Sequence, residues 1–198
     1  YQFIKALLNN EKGLHIDKDH FMTISPDEGS MNRAIYLANV LGVDMGMYYK
    51  RLDYSRYVNG RHPIAAYEFL GPKIEGKDMI LIDDMISSGD TIIKIASLLK
   101  EKGAGRVYIC STFGFFTDGL DKFDDAYKKG YFDKLLTTNL VYQSPELLEK
   151  PYYISCDMSK YIALIIDTLN HDTSVSHLLN PVDRIKRCVT NYMSQHEK

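Results

Sequence analysis

Apolar runs of roughly four to eight residues alternate along this chain with amphipathic stretches, a pattern that belongs to α/β domains built on a mostly parallel sheet. Strands are expected at Phe21 to Ser25, Met45 to Tyr49, Met79 to Ile82, Val107 to Thr112, Leu135 to Thr138 and Tyr152 to Ser155. Between them, Met31 to Leu41 places Ile35, Leu37, Ala38 and Leu41 near a helical period and stops at Gly42, a good helix end. Thr91 to Lys102 repeats the design, with Ile92, Ile95, Ala96 and Leu99 as the buried stripe, Lys94, Lys100 and Lys102 as the wet face, and Gly103 as the stop. Further helices are expected over Leu120 to Lys129, Lys160 to Leu169 and Pro181 to about Gln195, the last opening with proline near its first turn.

Charge narrows the partners. The chain carries 24 Lys and Arg against 26 Asp and Glu, so no basic field draws a nucleic-acid backbone or an anionic membrane surface. A small anionic substrate has to be held locally. The longest strongly apolar runs, Met79 to Ile82 and Tyr161 to Ile166, fall far short of the roughly 18 residues of a membrane-spanning helix. Cys110, Cys156 and Cys188 lack metal-ligand spacing and sit in or beside apolar segments, which fits free thiols in a reducing cytoplasm. The sequence opens on Tyr1 without a secretion signal and reads as a fragment or trimmed chain. Its 15 tyrosines are scattered, as expected of core edges. One stretch follows neither period: Arg51 to Glu68, with Arg51, Arg56, Arg61, His62, Asn59-Gly60 and Pro63, reads as a long polar loop with a functional role.

The run from Met79 to Thr91 carries the chemistry. A buried strand ends in Asp83 and Asp84, then Ser87-Ser88-Gly89-Asp90-Thr91 turns into a helix. Ligands of open α/β sheets bind beyond the carboxyl ends of strands, so both acids are expected to face a cleft. The turn offers backbone N–H groups and hydroxyls at a helix N-terminus, a cradle for phosphate. Adjacent acids repel a phosphate unless they engage hydroxyls or a hard cation such as Mg²⁺. A phosphorylated sugar supplies both partners. Singly, each feature also suits helix capping or a solvated loop; their succession in one run points to a ligand.

This run resembles the phosphoribosyl-pyrophosphate signature of the type I phosphoribosyltransferase fold, which phosphoribosyltransferases share with the ribose-phosphate pyrophosphokinases, the phosphoribosyl pyrophosphate synthetases. Two further segments are similar to the synthetases. Ile24-Ser25-Pro26-Asp27-Glu28-Gly29-Ser30-Met31-Asn32-Arg33-Ala34 resembles their Ser-Pro-Asp-x-Gly-x-x-x-Arg-Ala segment, and Tyr48-Tyr49-Lys50-Arg51 resembles the strand end that leads into their long loop. Asp172 to Leu179 looks like the segment that closes their C-terminal domain.

The resemblance implies an α/β, three-layer phosphoribosyltransferase-like domain, a mostly parallel central sheet flanked by helices, over residues 1–198. It matches the C-terminal half of a two-domain synthetase, with the N-terminal half and much of its ATP site absent. It implies the transfer of diphosphoryl from ATP to ribose 5-phosphate, with Mg²⁺ as cofactor, in a cytoplasmic homo-oligomer. The roles carried over place Asp83 and Asp84 on the ribose hydroxyls, Ser87, Ser88, Gly89, Asp90 and Thr91 around the 5-phosphate, Asp27 on the metal, and Lys50 with Arg51 on the migrating group. Asp27 suits a hard cation, Gly29 admits close backbone approach, and two cations suit a transition state spread over phosphoryl oxygens.

Three departures mark a divergent branch. Ser87 and Asp90 stand where the synthetases have Asp and Gly, Leu52 replaces a third cation that Arg56 or Arg61 would have to supply, and Phe113 to Tyr142 is rich in aromatics. Two alternatives stay open: a phosphoribosyltransferase joining a base to the sugar pyrophosphate, and a non-catalytic, synthetase-associated regulatory module.

Overall fold

The computed structural model describes residues 1–57, 60 and 62–196. Its centre is a seven-stranded sheet in the order β3-β2-β1-β4-β5-β6-β7, with β1 Phe21–Ser25, β2 Asp44–Leu52, β3 Ile64–Leu70, β4 Asp78–Ile86, β5 Val107–Gly114, β6 Lys134–Thr138 and β7 Tyr153–Cys156. All neighbours pair in parallel except β2 and β3. The parallel strands form where the apolar runs lie, because a strand covered by helices on both faces has no wet side to mark with polar residues.

Period-two geometry then sorts each strand between two cores. On β4, Met79 and Leu81 join Ile92, Ile95 and Leu99 of α3 (Asp90–Glu101), Phe123 of α4 (Asp121–Lys128) and Leu147 of α5 (Pro145–Leu148). Ile80 turns the other way, to Ile4 and Leu7 of α1 (Gln2–Asn10), Leu37 of α2 (Met31–Leu41) and Ile185 of α8 (Val182–His196). The result is the three-layer α/β sandwich. α2 stops at Gly42, whose φ of +70° is left-handed and open to glycine at little cost. After β7, α6 (Ser159–Asn170) and the single turn α7 (Ser176–Leu179) lead to α8.

Besides the short turns Glu28–Ser30, α5 and α7, two longer elements were not expected from sequence. α1 buries Ile4, Leu7 and Leu8, an i, i+3, i+4 stripe at the start of the chain. The expected loop over Arg51 to Glu68 is corrected: β2 runs on through Leu52, and Ile64–Leu70 forms the antiparallel edge strand β3, leaving only 53–63 between strands. As an edge strand β3 is half-exposed, so its residues show neither a buried run nor a clean alternation. Asn59 and Arg61 lie outside the described residues. No helix among the described residues is long and apolar enough to cross a membrane.

Cys110 and Cys156 are buried free thiols; burial pushes Cys156 up to about 12 and Cys110 upward too, so both pack as small hydrophobes. Among the described residues, the Tyr48 hydroxyl is buried without a hydrogen-bond partner, packed beside Phe69, and burial raises its pKa to about 12. A buried donor without a partner keeps its full desolvation cost. Tyr48→Phe is therefore expected to raise the unfolding free energy by about 1 kcal/mol in urea titrations; a loss of stability would mean that the hydroxyl is satisfied.

Candidate active site

The site forms where β1 and β4 end. These strands are adjacent, yet α2, which follows β1, packs on one face of the sheet while α3, which follows β4, packs on the other. Connections that diverge in this way leave a crevice at the carboxyl edge. β4 overshoots: its last residue paired with β1 is Leu81, but it continues along β5 to Ile86. Asp83 and Asp84 thus lie within the strand, not after it, and project beyond β1 over the one-turn 3-10 helix Glu28–Ser30.

That turn and α2 receive them. The Ser30 hydroxyl donates to Asp83 Oδ1 at 2.5 Å, the Asp84 amide donates to the same oxygen at 2.9 Å, and Arg33 Nη2 donates to Asp84 Oδ2 at 3.2 Å. Burial pushes the Asp83 carboxyl above its ordinary range; the Ser30 hydrogen bond opposes this and the nearby Asp27 charge adds to it. Asp27 follows β1, and its Oδ1 accepts the Gly29 amide at 3.0 Å. Lys50 Nζ reaches within 3.8 Å of Asp27 Oδ2.

Ser87, Ser88 and Gly89 make the turn into α3. Gly89 has φ +86°, and a Cβ there would run into the Phe123 ring, so this position requires glycine on both counts. The Ile93 amide closes the first helical bond to the Gly89 carbonyl at 3.0 Å, so the amides before it have no partner within the helix, and that of Asp90 makes a long bond to the Ser88 hydroxyl oxygen at 3.5 Å. Asp90 opens the helix; Lys122 Nζ, at 2.8 Å, and the Ser88 hydroxyl, at 3.0 Å, hold its carboxyl below the usual range.

Together Asp27, Gly29, Ser30 and residues 83–92 line a cavity of about 360 Å³. Among the described residues its lining includes four acidic residues, Asp27, Asp83, Asp84 and Asp90, and no Lys or Arg. The expected site residues Asp27, Asp83, Asp84, Ser87, Ser88, Gly89, Asp90 and Thr91 are thus brought together, with Lys50 at the rim. Arg51 is not brought with them: on the opposite face of β2, its Nε pairs with Glu68 Oε1 at 2.8 Å, and Tyr49 donates to the same carboxylate. Arg56 pairs instead with Asp53 at 3.7 Å. Sequence reasoning missed Ser30 and Arg33 as partners of the acids, and Lys122, whose bond to Asp90 joins residues 32 apart.

The donors suit Mg²⁺ in kind, being carboxylate oxygens. Among the described residues no group of three or more His, Cys, Asp or Glu could hold a metal by itself. Mg²⁺ is commonly held by one or two carboxylates, with substrate oxygens and water completing its shell.

The family model described as "Phosphoribosyl synthetase-associated domain" matches residues 61–180, more than half of the chain. The chain belongs to this family. A ribose-phosphate pyrophosphokinase of Vibrio parahaemolyticus is 29% identical over 163 residues, covering 82% of this chain and 49% of that protein. The namesake from Thermococcus kodakarensis is 31% identical over 121 residues, or 61% of this chain and 39% of that protein. The chain spans about half the length of the curated relatives it matches. The phosphoribosylpyrophosphate synthetase of Mycobacterium smegmatis superposes with a TM-score of 0.63 at 24% identity, over 77% of this chain and 45% of that one, and shares the fold.

Folding raises the Asp83 pKa, so the folded state binds that proton more tightly than the unfolded chain, and stability falls as pH climbs from about 3.9 through the raised value. Asn at this position keeps an Oδ1 that accepts from Ser30 and from the Asp84 amide. Asp83→Asn is expected to gain more stability at pH 7 than at pH 4 in urea unfolding; an equal change at both pH values would contradict the burial cost assigned to Asp83.

Proposed function

We propose that this chain forms the sugar-phosphate half of a ribose-phosphate pyrophosphokinase, which converts ATP and ribose 5-phosphate to AMP and 5-phosphoribosyl 1-pyrophosphate. The observation that carries the reading is the meeting of Asp83 and Asp84 with the amide turn of residues 87–91 in one cavity at the point where α2 and α3 diverge. The chain corresponds to a single domain, the C-terminal half of a two-domain enzyme. Much of the nucleotide site is then supplied by the half of such an enzyme that this chain does not span.

The acids hold the ribose hydroxyls, either by accepting their hydrogen bonds or, were Mg²⁺ bound, by coordinating it beside them, and the amides of Ser87, Ser88, Gly89, Asp90 and Thr91 enclose the 5-phosphate. Arg33 and Ser30 fix the two carboxylates so that the sugar meets them already oriented. The anomeric hydroxyl then attacks the β-phosphorus of ATP in line; its oxygen gains the diphosphoryl group and releases its proton to solvent, and AMP departs with the bonding electrons. Asp27 would hold Mg²⁺, which when bound would neutralise charge on phosphate oxygens. Lys50 offers a fixed positive charge to the migrating group, and Arg51 adds a second once it leaves Glu68. Positioning and charge do the catalysis, so no covalent nucleophile is required. Self-association and a cytoplasmic setting complete the reading.

A second reading, a sugar-phosphate-binding module without turnover, has one observation in its favour: Glu68 holds Arg51 away from the cavity. Lys50→Ala in the complete enzyme separates the two. Turnover of ATP and ribose 5-phosphate is expected to fall by about a hundredfold or more while ribose 5-phosphate still binds, the loss expected of a cation that acts on the transition state. Equal losses of rate and binding would contradict the role of Lys50, and binding without turnover in the unaltered enzyme would select the module.

A further inference from the structure

Asp90 brings a negative charge to the place where the proposed function puts a phosphate. Asp90 lines the cavity at the first position of α3 and also lines the adjoining groove that holds Lys122; one of its carboxylate oxygens accepts from the Ser88 hydroxyl at 3.0 Å and the other from Lys122 Nζ at 2.8 Å. The free amides and dipole of a helix N-terminus attract any anion. A carboxylate fixed there takes part of that attraction for itself. It also engages the Ser88 proton that a phosphate oxygen would otherwise accept.

Lys122 does not reverse the balance. It bridges Asp90 and Asp118, the latter at 2.9 Å, so two carboxylates share its charge, and it is absent from the cavity lining. It braces Asp90 from outside. The other lining acids, Asp27, Asp83 and Asp84, add to the negative potential.

Resting on the reading that the cavity takes a phosphorylated pentose, we propose that Asp90, braced by Lys122, is a specificity-determining residue whose carboxylate weakens the grip of the turn on the 5-phosphate. Recognition then depends more on the hydroxyl contacts of Asp83 and Asp84 than on the phosphate. Neutralising this single group uncovers a stronger phosphate site.

Calorimetric titration of ribose 5-phosphate into the 198-residue chain and two variants tests the proposal. Asp90→Asn keeps the side-chain volume and an oxygen that accepts from the Ser88 hydroxyl, and is expected to tighten binding by about fivefold to tenfold, the size of one partly screened charge contact. Asp118→Asn removes the same charge outside the cavity and is expected to change affinity by less than about twofold. Binding by Asp90→Asn but not by the unaltered chain would also support the proposal. Unchanged or weaker binding by Asp90→Asn, or an equal gain from Asp118→Asn, would overturn it and leave the sugar-phosphate reading intact. Failure of all three forms to bind would overturn both.

Discussion

The divergence of α2 and α3 at the junction of β1 and β4 governs the rest of the molecule. Because the two helices leave adjacent strands toward opposite faces, the carboxyl ends of those strands are left uncovered, and whatever residues sit there become a cleft. The sequence has filled that position with acids on one side and a glycine turn on the other. The extra length of β4 matters as much. Pairing with β5 carries it five positions past Leu81↔Ile109, to Ile86↔Gly114, and so lifts Asp83 and Asp84 beyond the two cores that hold Leu81 and Ile80.

That placement has an electrostatic cost, and the surrounding side chains limit it. Four carboxylates line one cavity; Ser30 and Arg33 engage two of them, Lys50 lies near a third and Lys122 pairs with the fourth. Asp83 still stays above its ordinary pKa, because one hydroxyl and one amide do not replace the water lost on burial. A site strained in this direction is relieved by partners that bring protons or positive charge, such as sugar hydroxyls or a divalent cation. Here the stability of the chain and the affinity of its site pull against each other.

Much of this arrangement was legible in the amino-acid order. Met79 to Ile82 is too apolar to be anything but buried, and a helix period beginning near Thr91 forces a turn between, so the acids and the small residues had to meet at a strand end. Gly42 was equally direct as the end of a helix. Pairing partners were less so. Whether Lys50 or Arg51 faces the cavity depends on the parity of β2 and on the hairpin register that sets Tyr49 opposite Glu68, and neither is written in the local composition. β3 escaped notice because an edge strand needs no apolar run, and Lys122 because its partner is distant in sequence.

The central claim, that the β1–β4 crevice receives a phosphorylated pentose, is tested most directly by amide chemical shifts of the isotopically labelled chain during titration with ribose 5-phosphate. The account predicts that the largest changes fall on residues 27–30 and 83–91, with α8 and β7 unmoved. Changes centred elsewhere, such as the apolar groove beside Tyr1, Phe3 and Tyr36, or no changes at saturating sugar phosphate, would contradict it.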